Sequence, residues 1–210
     1  MIELHTRVVF WRAAQAPDAV QLAAGERLVE LREEAVDDIA RAYRRHGMRG
    51  DAARIARRFS LGAKFYAIEA DGDGLVAWTW ALVGVPRYLD EFGWLLELAP
   101  DQAWGRDAFV VPSRRGHRML LALINAAAVV EARPLQLFSD VDPANLASMQ
   151  AHLAMGMRPV AKIRALAIGE RLLFRQRPVP ALPPVGHVQP RRRVLWRNGP
   201  SLDWHRAHIA

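Results

Sequence analysis

Residues 107–132 read DAFVVPSRRGHRMLLALINAAAVVEA, and this order restricts what the chain can fold into. A short β-branched and aromatic run (Phe109, Val110, Val111) meets Pro112, then a segment rich in Arg and Gly, then a long apolar run. Such a succession predicts a strand, a tight turn and a helix from Arg115 to about Glu131. At that junction the N–H groups of the turn and of the first helical turn converge with the positive end of the helix dipole. The geometry attracts anions. Arg114, Arg115, His117 and Arg118 add donors suited to phosphate, so the stretch reads as a pyrophosphate site.

The segment VVPSRRGHRM resembles the acyl-CoA-binding motif of the GNAT superfamily of N-acetyltransferases, a strand followed by Arg/Gln-x-x-Gly-x-Gly/Ala opening a helix. Arg115 fits the first position, and Gly116 sits where the family often has a glycine just after it. The two later small positions fall on Arg118 and Leu120, where this chain departs from the pattern. A second segment, Asn145-Leu-Ala-Ser148, His152 and Gly156-Met157, is similar to the family's Asn-x-x-(Ala/Ser)-x-x-x-Tyr-x-x-x-Gly-Phe. The two segments and the order of elements around them cover residues 27–177.

The resemblance implies an α/β fold, a mixed and mostly antiparallel twisted sheet of about 6–7 strands with helices on both faces. It implies transfer of an acetyl group from acetyl-CoA, as co-substrate, to a primary amine of a small molecule or protein by direct attack, without a metal. By the same resemblance Phe109 and Val111 supply main-chain bonds to the pantetheine arm, and a backbone N–H near Val110 polarises the thioester carbonyl. Residues Arg114, Arg115, Gly116, His117, Arg118 and Met119 would hold the pyrophosphate. Asn145, with Ser148 beside it, would bond the CoA arm. His152 falls on the family's tyrosine position and would protonate the leaving thiolate as an imidazolium. Glu97 and Asp107 are the nearest candidates for a general base. Two alternatives remain: an acyl carrier protein as donor, or a non-catalytic CoA-binding or regulatory module of the same fold, which the bulky Arg118 and Leu120 motivate.

Other chemistries find no footing. With no cysteine, disulfides, thiolate metal sites and a cysteine nucleophile are excluded. There is no Gly-x-Ser-x-Gly, no His pair at zinc spacing and no Gly-x-x-x-x-Gly-Lys. Asp71-Gly72-Asp73-Gly74 resembles part of a calcium loop but lacks the later ligands, and reads as a hairpin turn. The N-terminus has no signal-peptide layout, and no apolar run reaches the roughly 18–20 residues of a membrane span, so a cytoplasmic protein without membrane contact is expected.

Residues 1–177 are expected to form the catalytic domain, with 1–26 as an additional strand and loop, and 178–210 a Pro- and Arg-rich extension. Five prolines between Pro178 and Pro190 oppose regular structure there, although Val194–Trp196 could dock on the body or on a partner subunit. The formal charge of +7 sits in the tail, because residues 171–210 hold eight arginines and one acid. The body is therefore balanced, and nucleic-acid contact, restricted to Arg191–Arg193, is not the expected role. A homodimer through the last strands or the tail is compatible with the sequence.

Along the chain, strands are expected at Arg7–Ala13 and near Leu28–Leu31. A helix follows from Glu34, ended by Gly47 and Gly50, and another at Asp51–Phe59. Its Ile55 and Phe59 should face inward and Arg54, Arg57 and Arg58 outward to solvent; by resemblance this helix pair forms part of the acceptor site. A hairpin joins Lys64–Glu69 to Leu75–Val83, with Trp78 and Trp80 in the core. In residues 87–105, Leu95–Leu98 would begin a strand resumed at Ala108, with Pro100–Gly105 as a loop. The acids Asp90, Glu91, Glu97 and Asp101, with Trp94 and Trp104, would suit a cationic amine. A strand at Leu135–Phe138 follows, then a helix capped by Asp142 and stopped by Gly156. Strands Arg158–Ile168 and Arg171–Arg177 close the domain.

Overall fold

A computed structural model describes residues 2–14, 21–89, 94–116, 118–168, 171–178 and 194–196. In chain order the first elements are β1 (Ile2–Arg12), β2 (Glu26–Leu31), α1 (Val36–Arg45), α2 (Ala52–Ser60), β3 (Ala63–Ala70) and β4 (Gly74–Val83). Then come β5 (Arg87–Leu89), β6 (Trp94–Leu96), β7 (Gln102–Val110), α3 (Met119–Val130) and β8 (Gln136–Val141). The last are α4 (Leu146–Ala154), β9 (Arg158–Ile168), β10 (Arg171–Pro178) and β11 (Val194–Trp196). They form two compact units, one of residues 13–83 and 101–137, the other of 1–12, 84–100 and 138–210.

In the first unit four antiparallel strands run in the order β7-β4-β3-β2. The turn between β3 and β4 is the Asp-Gly-Asp-Gly segment. Gly72 takes φ +78, and the Asp73 N–H donates to the Ala70 carbonyl at 3.1 Å. Strand alternation sorts the core. Phe65 and Ala67 pair with Trp80 and Trp78, while the next pair, Ile68 and Ala77, faces the opposite way. Helices α1 and α2 cover the tryptophan face. Tyr43 stacks on Trp78 at 5.4 Å, Phe59 meets Trp80 at 5.0 Å, and Trp80 Nε1 donates to the Tyr43 hydroxyl at 2.8 Å. Helix α3 covers the other face, its Met119, Ala122 and Leu123 packing with Ile68 and Ala77. Helices thus lie on both faces of the sheet, as the sequence implied. The α1–α2 approach requires Gly50, since a Cβ there would fall 2.2 Å from the Ala40 carbonyl oxygen.

In the second unit the strand order is β11-β10-β9-β1-β8, with β5 and β6 as a separate hairpin. Strand β1 pairs antiparallel with β9 from Ile2 to Trp11. The buried Arg87 and the half-buried Arg7 both reach the Asp140 carboxylate, at 3.4 Å and 3.5 Å.

Several boundaries differ from expectation. Strand β1 begins at Ile2 rather than Arg7, because β9 continues to offer a partner as far as Ile168. Strand β7 starts at Gln102 and takes in most of the expected Pro100–Gly105 loop. Ala103, Trp104 and Gly105 pair with Val83, Leu82 and Ala81, and sheet pairing outweighs the local turn signal. Helix α3 starts at Met119 rather than Arg115, since Gly116 and Arg118 take positive φ of +87 and +61. The cap of α4 is Asn145, not Asp142, whose carboxylate accepts the Ala144 N–H and pairs with Arg7. Val194–Trp196 forms a strand on β10 of its own chain.

Candidate active site

At the end of β7 the ladder is interrupted. Trp78 pairs with Phe109 and Trp80 with Arg106, so Asp107 and Ala108 together oppose Thr79. This is a β-bulge, and Asp107 carries the strain of φ +51. The Thr79 hydroxyl donates to the Arg106 carbonyl at 3.1 Å and satisfies one group that the bulge releases. Beyond it the Val111 N–H donates to the Val76 carbonyl at 3.0 Å, and the Val111 carbonyl accepts the Arg114 N–H at 2.9 Å. Val111 and Phe109 are therefore in the ladder-bonded positions facing β4. Alternation turns the Val110 N–H and C=O toward the other edge. The expected main-chain contacts through Phe109 and Val111 are corrected accordingly: Val110 has the outward amide.

A 3-10 turn at Pro112–Arg114 then leads through extended Arg115 to the left-handed Arg118, which precedes α3. The first α3 bond runs from the Ala122 N–H to the Arg118 carbonyl, so the N–H groups before Ala122 have no carbonyl within the helix. Arg115 and Arg118 are exposed, and a Cβ on Gly116 would meet nothing within 4 Å. Arg115 Nε lies 3.4 Å from the Val110 carbonyl. Arg114 has another duty: it pairs with the nearly buried Glu26 carboxylate at 2.8 Å and with Asp73 at 2.7 Å. It ties the turn to β2 and to the β3–β4 hairpin. Met119 is buried beneath α3, and His117 lies outside the described residues.

Beside the bulge the same unit holds a cleft of about 320 Å³ between α1–α2 and the strands β4 and β7. Trp78, Phe109, Ile55 and Met48 supply its apolar lining. Trp78 and Phe109 stack at 4.6 Å, and His46 packs against both, at 5.7 Å and 5.4 Å. The polar lining is Arg49, Asp51, Arg54, Arg58, Asp107 and Tyr43. Arg58 corrects an expectation. It is buried rather than solvated, with its guanidinium 5.1 Å over the Trp80 ring and 2.6 Å from Asp107. Burial lowers its pKa and Asp107 opposes the shift; arginine stays charged regardless. Burial pushes the Tyr43 hydroxyl up to about 12, so it is protonated at neutral pH.

Among the described residues of the expected acidic and indole wall, none lines this cleft. Trp104 is fully buried in the core, Asp101 is exposed and accepts from the Gln136 side chain, and Glu97 is exposed. Asp90 and Glu91 lie outside the described residues, as does the side chain of Trp94.

In the other unit, Asn145 accepts the Ser148 N–H at 3.1 Å and caps α4. His152 is half-buried, its ring 5.1 Å from Phe10, with Nδ1 2.7 Å from the Ser148 carbonyl. A carbonyl only accepts, so Nδ1 carries the proton and donates it there. Burial lowers the His152 pKa below its ordinary 6.5, against the opposing Ser148 hydrogen bond and Asp140. The lowered pKa favours the neutral ring over the imidazolium envisaged from the sequence.

Three solved structures share this architecture. One is a protein assigned to the GNAT acetyltransferase family from Novosphingobium aromaticivorans, 16% identical over 78% of this chain and 64% of its own, with a TM-score of 0.51. The second is a tandem GNAT protein from the clavulanic acid biosynthesis pathway, 17% identical over 73% of this chain and 50% of its own, with a TM-score of 0.50. The fold is the GNAT fold. A functionally unknown Staphylococcus epidermidis protein also shares it, 9% identical over 78% of this chain and 60% of its own, with a TM-score of 0.52. This chain thus spans only half to two thirds of the length of these GNAT-fold structures. No protein-family model and no curated protein matches the sequence.

Within this GNAT fold the segment that resembles the acyl-CoA motif is the β7–turn–α3 passage, and the second segment is α4 with its Gly156 stop. Sequence reasoning missed Tyr43, His46 and Thr79, which only packing brings to β4 and β7. Arg58 was legible in part. It follows Ile55 by three residues, on the side of α2 that faces the sheet.

Proposed function

We propose that the chain is an N-acetyltransferase that uses acetyl-CoA and acylates a primary amine. The observation that carries this reading is the passage from bulged β7 through a left-handed turn into α3, lying in the same unit as a cleft that Asp107 and Phe109 also line. The residues fit the donor. The first N–H groups of α3, exposed Arg115, the left-handed backbone at Arg118 and the open space at Gly116 suit a pyrophosphate. Arg114, Met119 and His117 complete the segment, with Arg114 holding its shape through Glu26 and Asp73.

Acetyl-CoA, when bound, supplies an activated acyl group. The chain's own contribution is positioning and polarisation. The Val110 amide, turned away from β4, is the donor placed to polarise a carbonyl. Asp107, at 46% side-chain exposure, is the carboxylate at the cleft wall that would hold the incoming ammonium and accept its proton, directly or through water. Its pairing with Arg58 fixes its direction. Asn145, Ser148 and His152 retain a proposed place along the CoA arm, and Glu97 a secondary place as base.

Calorimetric titration with acetyl-CoA tests the reading, beside an Arg115→Ala, Gly116→Trp double variant. Micromolar binding that the double variant loses is expected. Absence of binding to acetyl-CoA and to longer acyl-CoAs would refute it.

A further inference from the structure

We infer that the α1–α2 cleft recognises a carboxylate on the acceptor, so that the amine acylated belongs to an amino acid or a similar carboxylate-bearing amine with an apolar body. This deepens the acetyl-transfer reading and rests on it for the identity of the reaction. Three arginines line the cleft, Arg49, Arg54 and Arg58, against two carboxylates, Asp51 and Asp107. The carboxylates are matched: Arg49 pairs with Asp51 at 3.2 Å and Arg58 with Asp107 at 2.6 Å. Asp51 is further engaged as the cap of α2, accepting the Arg54 N–H at 3.2 Å. Among the described residues of the lining one positive charge is left over, that of Arg54, and Arg106 beside the lining shares Asp107 at 3.4 Å.

The Arg54 side chain is the anomaly. Its Nε is buried and donates no hydrogen bond, a feature it shares with Arg58 Nε, but among the described residues no carboxylate pairs with the Arg54 guanidinium, whereas Arg58 has Asp107. A buried donor of a charged group without a partner is costly, and a planar fork of N–H donors is matched best by a carboxylate. The rest of the cleft is apolar, floored by the stacked Trp78 and Phe109 rings with Ile55 and Met48 beside them. An occupant that satisfies both features is anionic at one end and apolar along its body. A polycationic amine meets the wrong charge here.

The test uses two arms. In the first, phenylalanine and leucine are compared with their carboxamides as acceptors of the acetyl group from acetyl-CoA. The carboxamides have the less basic, more readily neutral amines, so a preference for the free acids cannot come from intrinsic reactivity. In the second arm, binding of N-acetylphenylalanine and N-acetylphenylalaninamide is measured by calorimetry, without CoA. The expected result is a preference for the acid of about tenfold or more in KM and in Kd. It should disappear in Arg54→Gln, return in part in Arg54→Lys, and persist in the exposed neighbour Arg57→Gln. Acetyl-CoA affinity should be unchanged in all three variants. Equal use of acid and amide, or no binding of either probe, overturns the inference while acetyl-CoA binding leaves the acetyltransferase reading intact. A loss of acetyl-CoA affinity in Arg54→Gln overturns it as well, by assigning Arg54 to the donor. Failure of acetyl-CoA to bind, with the acid still preferred in the second arm, removes the reaction and keeps the carboxylate site.

Discussion

Arg58 and His152 show how burial changes what a side chain can do. Arg58 lies between Trp80 and Asp107, and its charge is tolerated because the ring face and the carboxylate replace water. For His152 the compensation is smaller: burial outweighs the Ser148 hydrogen bond and Asp140, and its pKa falls. The consequence for stability has a definite sign. The unfolded chain binds the histidine proton near the ordinary 6.5, whereas the folded chain binds it only at lower pH. Acid therefore favours unfolding, and the contribution is complete above 6.5 and lost as pH falls below it. Urea titrations at about pH 7.5 and about pH 5.5 should show wild type losing more stability on acidification than His152→Gln. The reverse ordering would mean that the folded state stabilises the imidazolium, and would restore His152 as a proton donor.

The turn between β7 and α3 is an element in which backbone conformation and residue type disagree. Arg118 takes φ +61 and ψ 2, a left-handed conformation that costs an L-residue about 1–2 kcal/mol. It is also where the acyl-CoA motif has its first small residue. Arg118→Gly should remove the strain, against about 0.5–1 kcal/mol of added chain entropy, for a net gain of about 0–1.5 kcal/mol in urea unfolding. Acetyl-CoA affinity in that variant should be equal or higher, because the backbone rather than the exposed side chain forms the turn. Weaker affinity would show that the Arg118 guanidinium takes part in binding. Arg118 is exposed, and a Cβ at Gly116 would have open space around it. Leu120, the other departure from the motif, is half-buried within α3.

For the whole molecule the tail and the body separate in charge. Deleting 179–210 removes five arginines and one aspartate from a formal +7 and leaves +3. Acetyl-CoA affinity should stay within about twofold, while retention on heparin falls with the lost arginines. A tenfold loss of acetyl-CoA affinity would place part of the donor site in the tail. No helix among the described residues is long and apolar enough to cross a membrane. Much of this architecture was written locally. Apolar periodicity marked α1, α2 and α3, Asp71–Gly74 marked the hairpin, and VVPSRRGH marked the strand–turn–helix, because each depends on neighbours within a few residues. Tertiary structure alone decided the rest. The bulge at Asp107 exists because β4 and β7 are out of step by one residue, and Gln102–Gly105 became strand because β4 was there to pair with it. The charge of the cleft follows from which arginine of α2 meets a carboxylate of β7, a pairing of Arg58 with Asp107 across 49 positions of sequence. Local sequence specifies backbone preference. It does not specify which distant charge a buried side chain will meet, and that meeting leaves the Arg54 guanidinium without a carboxylate among the described residues.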